Sequence, residues 1–198
     1  MLFRSQMGQL GEAKSWFERS LNISEKLAQA DATDAQAQRD LSVSLNKLGD
    51  VAVQMGQLGE AKSWVERDLN ISEKLAQADA TDAQAQRDLS ISLDNLGDVA
   101  VQMGQLGEAK SWFERSLNIR ETLAQADAND TQAQRDLIVS HYKLADLFSR
   151  NRQPTAARAA ALLAADLLTK LRPRLPKHDA DNLDQAIRAL LRSDRICA

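Results

Sequence analysis

The chain has 198 residues, a net charge of −3 and 4% aromatic residues. An acid surplus argues against nucleic acid as a partner, and no apolar run is long enough to span a membrane. All three prolines lie beyond residue 150 and the single cysteine is Cys197, so helix breakers are missing from three quarters of the chain and no internal disulfide is possible.

From the N-terminus the dominant feature is repetition. The string Met-Gly-Gln-Leu-Gly-Glu-Ala-Lys-Ser-Trp begins at Met7, Met55 and Met103, a period of 48 residues. The first two copies differ only at Phe17/Val65, Ser20/Asp68, Val43/Ile91, Asn46/Asp94 and Lys47/Asn95. The third drifts after Leu137, and a degenerate fourth begins near Asn151, with Ala157 in register with Ala109.

Each copy predicts two helices. Leu89, Leu93, Leu96, Val99 and Ala100 recur at helical spacing over Ala83–Gln102, and Gly104 follows as a glycine stop. A second pattern runs from Leu106 to Asp127 through Ala109, Trp112, Phe113, Leu117, Ile119 and Leu123. The segments Asp79–Asp82 and Asp127–Asp130 supply turns whose last Asp can cap the next helix. Gly-Gln-Leu-Gly reads as the inter-helix turn, not as a phosphate-binding loop. Helices joined by turns this short lie antiparallel, and neighbouring hairpins must stack to bury their apolar faces. Ala156–Leu168 predicts a packed helix. After the break at Leu171–Lys177, Asp181–Arg192 predicts a final capping helix with Leu183, Ile187, Leu190 and Leu191 on one face.

The set Leu48-Gly49, Ala52, Gly56, Leu58, Ala61, Val65 and Leu69 resembles the tetratricopeptide repeat. It recurs at Leu96-Gly97, Gly104 and Ala109, and in part at Leu144-Ala145. The resemblance covers roughly residues 7–170 and implies an all-α, right-handed α-solenoid of about eight helices. The array then occupies residues 1–171, with a basic C-terminal segment at 172–198. The family repeat is about 34 residues; the excess here is about two turns per helix, similar to the long repeats of kinesin light chains and bacterial repeat proteins. The family's proline after the second helix is absent.

The resemblance also implies a protein-interaction scaffold whose first helices line a peptide-binding groove. By register, those positions are Asn46, Lys47 and Asp50, then Asp94, Asn95 and Asp98, then Tyr142, Lys143 and Asp146. Asp50, Asp98 and Asp146 form a carboxylate row, which favours a basic protein or peptide partner. His141 and His178 have no partner at a recognisable spacing, and no phosphate loop, metal spacing or nucleophile elbow occurs. The expectation is therefore a cytoplasmic non-enzyme without cofactor or metal. The alternative is a self-assembling module. The first copy starts at its second helix, so either the chain is part of a longer array or that helix packs against something else; its uncovered apolar stripe suits an interface, and residues 151–198 carry nine Lys/Arg against five Asp/Glu. The Trp16/Trp64/Trp112 ladder reads as inter-repeat packing, and Arg39, Arg87 and Arg135, each beside an Asp, read as inter-repeat ion pairs.

Overall fold

The computed structural model describes residues 2–193. These form α1 (Leu2–Ala30), α2 (Ala35–Gln54), α3 (Leu58–Ala78), α4 (Ala83–Gln102), α5 (Leu106–Ala126), α6 (Thr131–Arg150), α7 (Pro154–Leu171) and α8 (Lys177–Leu191), with a 3-10 turn at Arg172–Arg174. No strand occurs among the described residues. Two compact units divide the chain at Gly104/Gln105.

Two chemically distinct turns alternate. At the start of α2, α4 and α6, the carboxylates of Asp34, Asp82 and Asp130 each accept two backbone N–H bonds from the first helical turn, at 2.8–3.1 Å. These are side-chain N-caps, which satisfy donors the helix cannot. Three residues earlier, Asp31 and Asp79 accept from both the N–H and the hydroxyl of Thr33 and Thr81. The other turn ends α2 and α4. Gly56 and Gly104 sit at φ of 73° and 75°, and Gln57 N–H reaches back to Ala52 O at 2.8 Å. This is the six-to-one bond of a Schellman close, which needs a left-handed residue. The same turn follows α6, but Arg152 holds the left-handed position at φ 55°, with Gln153 N–H on Phe148 O.

Residues 1–104 contain α1–α4. Leu21 of α1 packs with Leu45 and Leu48 of α2, and Phe17, Leu41, Trp64 and Ile71 close around them. Ala52, Ala61 and Val99 form a second cluster with Val53 and Trp64 at its edge. α3 lies tight against α2 at Gly49, where a Cβ would meet Val65 Cγ2 at 2.9 Å.

In residues 105–198, α6 is held against α5 and α7. Ala145, Ala157, Ala160, Ala161 and Leu190 make one cluster, and Ile138, Ala164, Leu168, Leu171 and Ile187 another. Ile187 and Leu190 come from α8, so the last helix does close the apolar side of α7.

Two expectations are corrected. The last helix begins at Lys177 rather than Asp181, because Pro176, at φ −53° and ψ 136°, ends the preceding turn and leads directly into it. In the first copy, Gly8 and Gly11 are not a turn but lie inside α1. Neither glycine is driven to positive φ, so both simply remain helical there.

Three substitutions test these contacts by urea unfolding. Gly49→Val should lower stability by about 1–3 kcal/mol, because Val65 is buried and cannot move aside. Gly59→Ala, with nothing near its Cβ position, should be neutral or stabilising by up to about 1 kcal/mol. Arg152→Gly should gain up to about 1 kcal/mol by relieving the left-handed arginine.

Candidate functional site

Within residues 1–104, α2 and α4 present nearly the same sequence in the same register, and a cleft of about 380 Å³ runs between them. Arg39, Asp40, Val43 and Asn46 line one side and Asp88 and Ile91 the other. Arg39 crosses it, with a guanidinium nitrogen 2.6 Å from Asp82 and another 3.4 Å from Asp88; the arginine of one repeat is thus clamped by two carboxylates of the next. Asn95 Nδ2 donates to Asn46 Oδ1 at 2.8 Å and makes a second bridge. Between these polar ties, Val43 and Ile91 are 56% and 40% exposed. One open aliphatic side chain thus stands at the same register on each of α2 and α4.

The sequence-derived positions separate by environment. Lys47 and Asp50 are exposed and face each other at 3.9 Å. Partial burial pushes the Asp50 carboxyl above its ordinary range, and the Lys47 ammonium pulls the other way. Asp98 is exposed, whereas Asp94 is 4% exposed and belongs to the interior.

In residues 105–198, Tyr142 packs at the edge of both core clusters. Burial, followed by the Asp146 charge, raises its phenol pKa. Lys143 lies 5.3 Å from the Phe113 ring centroid, and Asp146 accepts from Arg150 Nε at 2.6 Å. His141 is half-buried, and its pKa is lowered by that burial against the Glu121 charge. Of the groove residues, then, Lys47, Asp50 and Asp98 are exposed, while Asn46, Asn95, Tyr142, Lys143 and Asp146 are half-buried and tied to neighbours. No group of three His, Cys, Asp or Glu residues in a metal-holding arrangement occurs among the described residues.

The basic segment is also engaged internally. Arg172 pairs with Asp181 at 2.7 Å and Arg188 with Asp184 at 2.8 Å. Arg174 donates to the carbonyls of Ala128 and Asn129. Cys197 lies outside the described residues.

Sequence reasoning missed a buried polar seam. Ser24 bonds to Ser44 at 3.1 Å and Ser72 to Ser92 at 2.9 Å; at the third equivalent pair Arg120 donates to Ser140 at 3.0 Å. Beside it, Asp68 is fully buried and accepts from the Ser42 hydroxyl. Burial drives its pKa upward against hydrogen bonds from Ser42, Ser92 and Asn46. The available signal was the Ser20/Asp68/Ser116 variation at an otherwise constant position. The tryptophans carry a second unforeseen feature: Arg19, Arg67 and Arg115 stack over Trp16, Trp64 and Trp112 at 4.9–5.1 Å. Trp64 and Trp112 are half-buried, but Trp16 is 60% exposed.

Residues 90–127 match the tetratricopeptide repeat model. No curated protein sequence matches significantly. Among solved structures, the chain is similar to BtubC (BKLC) from P. vanneervenii, at TM-score 0.67 and 18% identity over 94% of this chain and 69% of that one. It is also similar to a point variant of a Podosopora anserina kinesin light chain with nearly identical TPR-like repeats. There the TM-score is 0.53 and the identity 20%, over 95% and 90% of the two chains. At these identities the likeness concerns the fold.

The raised pKa of Asp68 has a measurable consequence. Its folded-state carboxyl prefers the proton, so the stability it permits is full below about pH 3.8 and declines as pH rises through the folded value. Asp68→Ser, the residue of the other two copies, should therefore stabilise the chain at pH 7 by about 1–3 kcal/mol. The gain should vanish below about pH 4 in urea titrations across pH. A gain that does not change with pH would assign the effect to packing.

Proposed function

We propose that the chain, whose residues 90–127 match the tetratricopeptide repeat, is a protein-interaction scaffold that holds a basic peptide or helix on the face formed by α2 and α4. The observation that carries the reading is the repeated surface itself: Val43 and Ile91 stand open on a polar face, with Asp50 and Asp98 about two turns further along the same helices. Aliphatic rungs at one register suit a ligand that touches each repeat once. Carboxylates beyond them suit a ligand with Lys or Arg flanking its apolar contacts, since charge complementarity speeds encounter and sets specificity.

The clamps on Arg39 and the Asn46–Asn95 bond support the same reading, because they fix the two helices before any ligand arrives. A receptor already ordered loses little entropy on binding. The reading assigns no reaction. The described residues include no helix long and apolar enough to cross a membrane.

The test uses a fluorescent amphipathic peptide with Lys/Arg flanking Leu, and a counterpart with Glu in place of each base. The basic peptide should bind, and its affinity should fall with added salt. Asp50→Lys/Asp98→Lys should weaken it at least tenfold, as should Val43→Asp/Ile91→Asp, with helicity unchanged. Equal binding of both peptides, or no loss in either variant, would remove this face as the site.

A further inference from the structure

Helix α7 keeps the inward face of the repeat and rewrites the outward one. Inside, Ala157 stands where Ala61 and Ala109 stand, and all three are fully buried. Outside, five positions read Lys, Ser, Glu, Arg and Asn in each of the three preceding copies, as in Lys62, Ser63, Glu66, Arg67 and Asn70. In α7 the same five are Arg158, Ala159, Leu162, Leu163 and Asp166. The Glu-Arg pair is exposed in every preceding copy. That includes α3, which has α2 and α4 packed on it and is tied through Arg67 to Glu25 of α1. Adjoining hairpins therefore leave this face open. At the same two positions α7 holds Leu162 and Leu163 in solvent, 49% and 52% exposed. Helix α8 lies on another side of α7, where Ile187 and Leu190 pack with Ala160, Ala161, Ala164 and Leu168.

We propose that this face of α7 pairs with the same face of a second copy, the two helices running antiparallel about a two-fold axis through Leu162. The charges on the stripe are self-complementary about that residue. Arg158 lies four positions before Leu162 and Asp166 four after, with Thr155 and Thr169 seven to either side. Offsets of four and seven keep these residues on one helical stripe, and all five are exposed. In a two-fold antiparallel pair, a residue a given number of positions before the axis faces the residue the same number after it in the other copy. Leu162 then meets its own counterpart, threonine meets threonine, and an arginine meets an aspartate at two symmetry-related contacts. The preceding copies are unsuited to the same pairing, since Glu66 or its equivalents would stand on the axis against an identical carboxylate. Arg158 has no acid partner among the described residues. Asp166 is held by Lys170 at 2.7 Å, but both side chains are more than half exposed. Such a surface pair contributes little, so the carboxylate can accept a second cation. This surface is separate from the α2–α4 face assigned to the basic ligand.

One helix pair buries less than the roughly 1,200 Å² of a stable complex, so the dimer is weak and shows at high concentration. The measurement is sedimentation equilibrium of the full chain up to about 1 mM. Every protein tested carries Ile23→Asp/Leu27→Asp, at exposed positions of α1, so that the apolar side chains there take no part. A monomer–dimer equilibrium is expected for this parent. Leu162→Glu/Leu163→Arg, which restores the residues of the other copies, should leave helicity unchanged and weaken dimerisation at least tenfold. Arg158→Asp and Asp166→Arg should each weaken it severalfold, because each sets like charges opposite one another at both contacts. An equimolar mixture of those two variants should dimerise like the parent, since both contacts between the unlike chains are again attractive. A chain that stays monomeric throughout, a dimer indifferent to Leu162→Glu/Leu163→Arg, or a mixture no tighter than its components would each overturn the proposal.

Discussion

The close approach of α2 to α3 at Gly49 is the constraint on which the hairpin depends. Ala52 and Ala61 are both fully buried beside it, and earlier along α2 Leu45 and Leu48 pack with residues of both α1 and α3 in one cluster. The neighbouring constraint is angular. The Asp-capped turn and the glycine turn each reverse the chain within four residues, so helices of 20 and 21 residues stay paired along their length.

Much of this was legible in the sequence because the helix ends are written in residues with one dominant local preference. An Asp two residues before a Gln-Ala pair, or a Gly after a Val-Gln-Met run, has few other uses, and α4 spans the range its periodicity predicts. Where the end signal was proline, the apolar face of α8 was recognised but its start was placed late. The Gly8–Gly11 stretch misled for the opposite reason: the residues that make a turn in two copies are compatible with a helix, and tertiary context decides. At the candidate site, the exposure of Lys47, Asp50 and Asp98 followed from helical phase. The burial of Asp94 and the packing of Tyr142 did not, because the rotation of each helix about its axis depends on neighbours that a single repeat does not encode.

The buried polar seam shows how near-identical repeats are differentiated. Serine pairs recur in the first two copies, and Arg120 replaces one serine in the third. A serine pair is cheap to bury because each hydroxyl satisfies another group. Asp68 is not cheap, since its carboxyl is desolvated more than its hydrogen bonds repay. The cost falls on the one copy where Ser42 and Asn46, both lining the α2–α4 cleft, lie against that carboxyl. Fold and cleft are therefore coupled through a single side chain. A substitution there changes stability and the orientation of two cleft residues together.

Charge counting needs the same separation by environment. The aspartates at 34, 82 and 130 cap helices, and those at 31 and 79 close turns. Asp40 and Asp88 accept from Gln36 and Gln84. Part of each repeat's acidity is thus spent on backbone and neighbour, just as Arg172, Arg174 and Arg188 are engaged within their own unit. All of these charges still contribute to the long-range field that steers a ligand. Far fewer are placed to touch one. On the proposed reading, a basic partner is attracted by the sum of the aspartates but held by short-range contacts at Val43 and Ile91, with Asp50 and Asp98 setting its register. Salt should therefore act chiefly on its arrival, whereas loss of the aliphatic rungs should act on its departure.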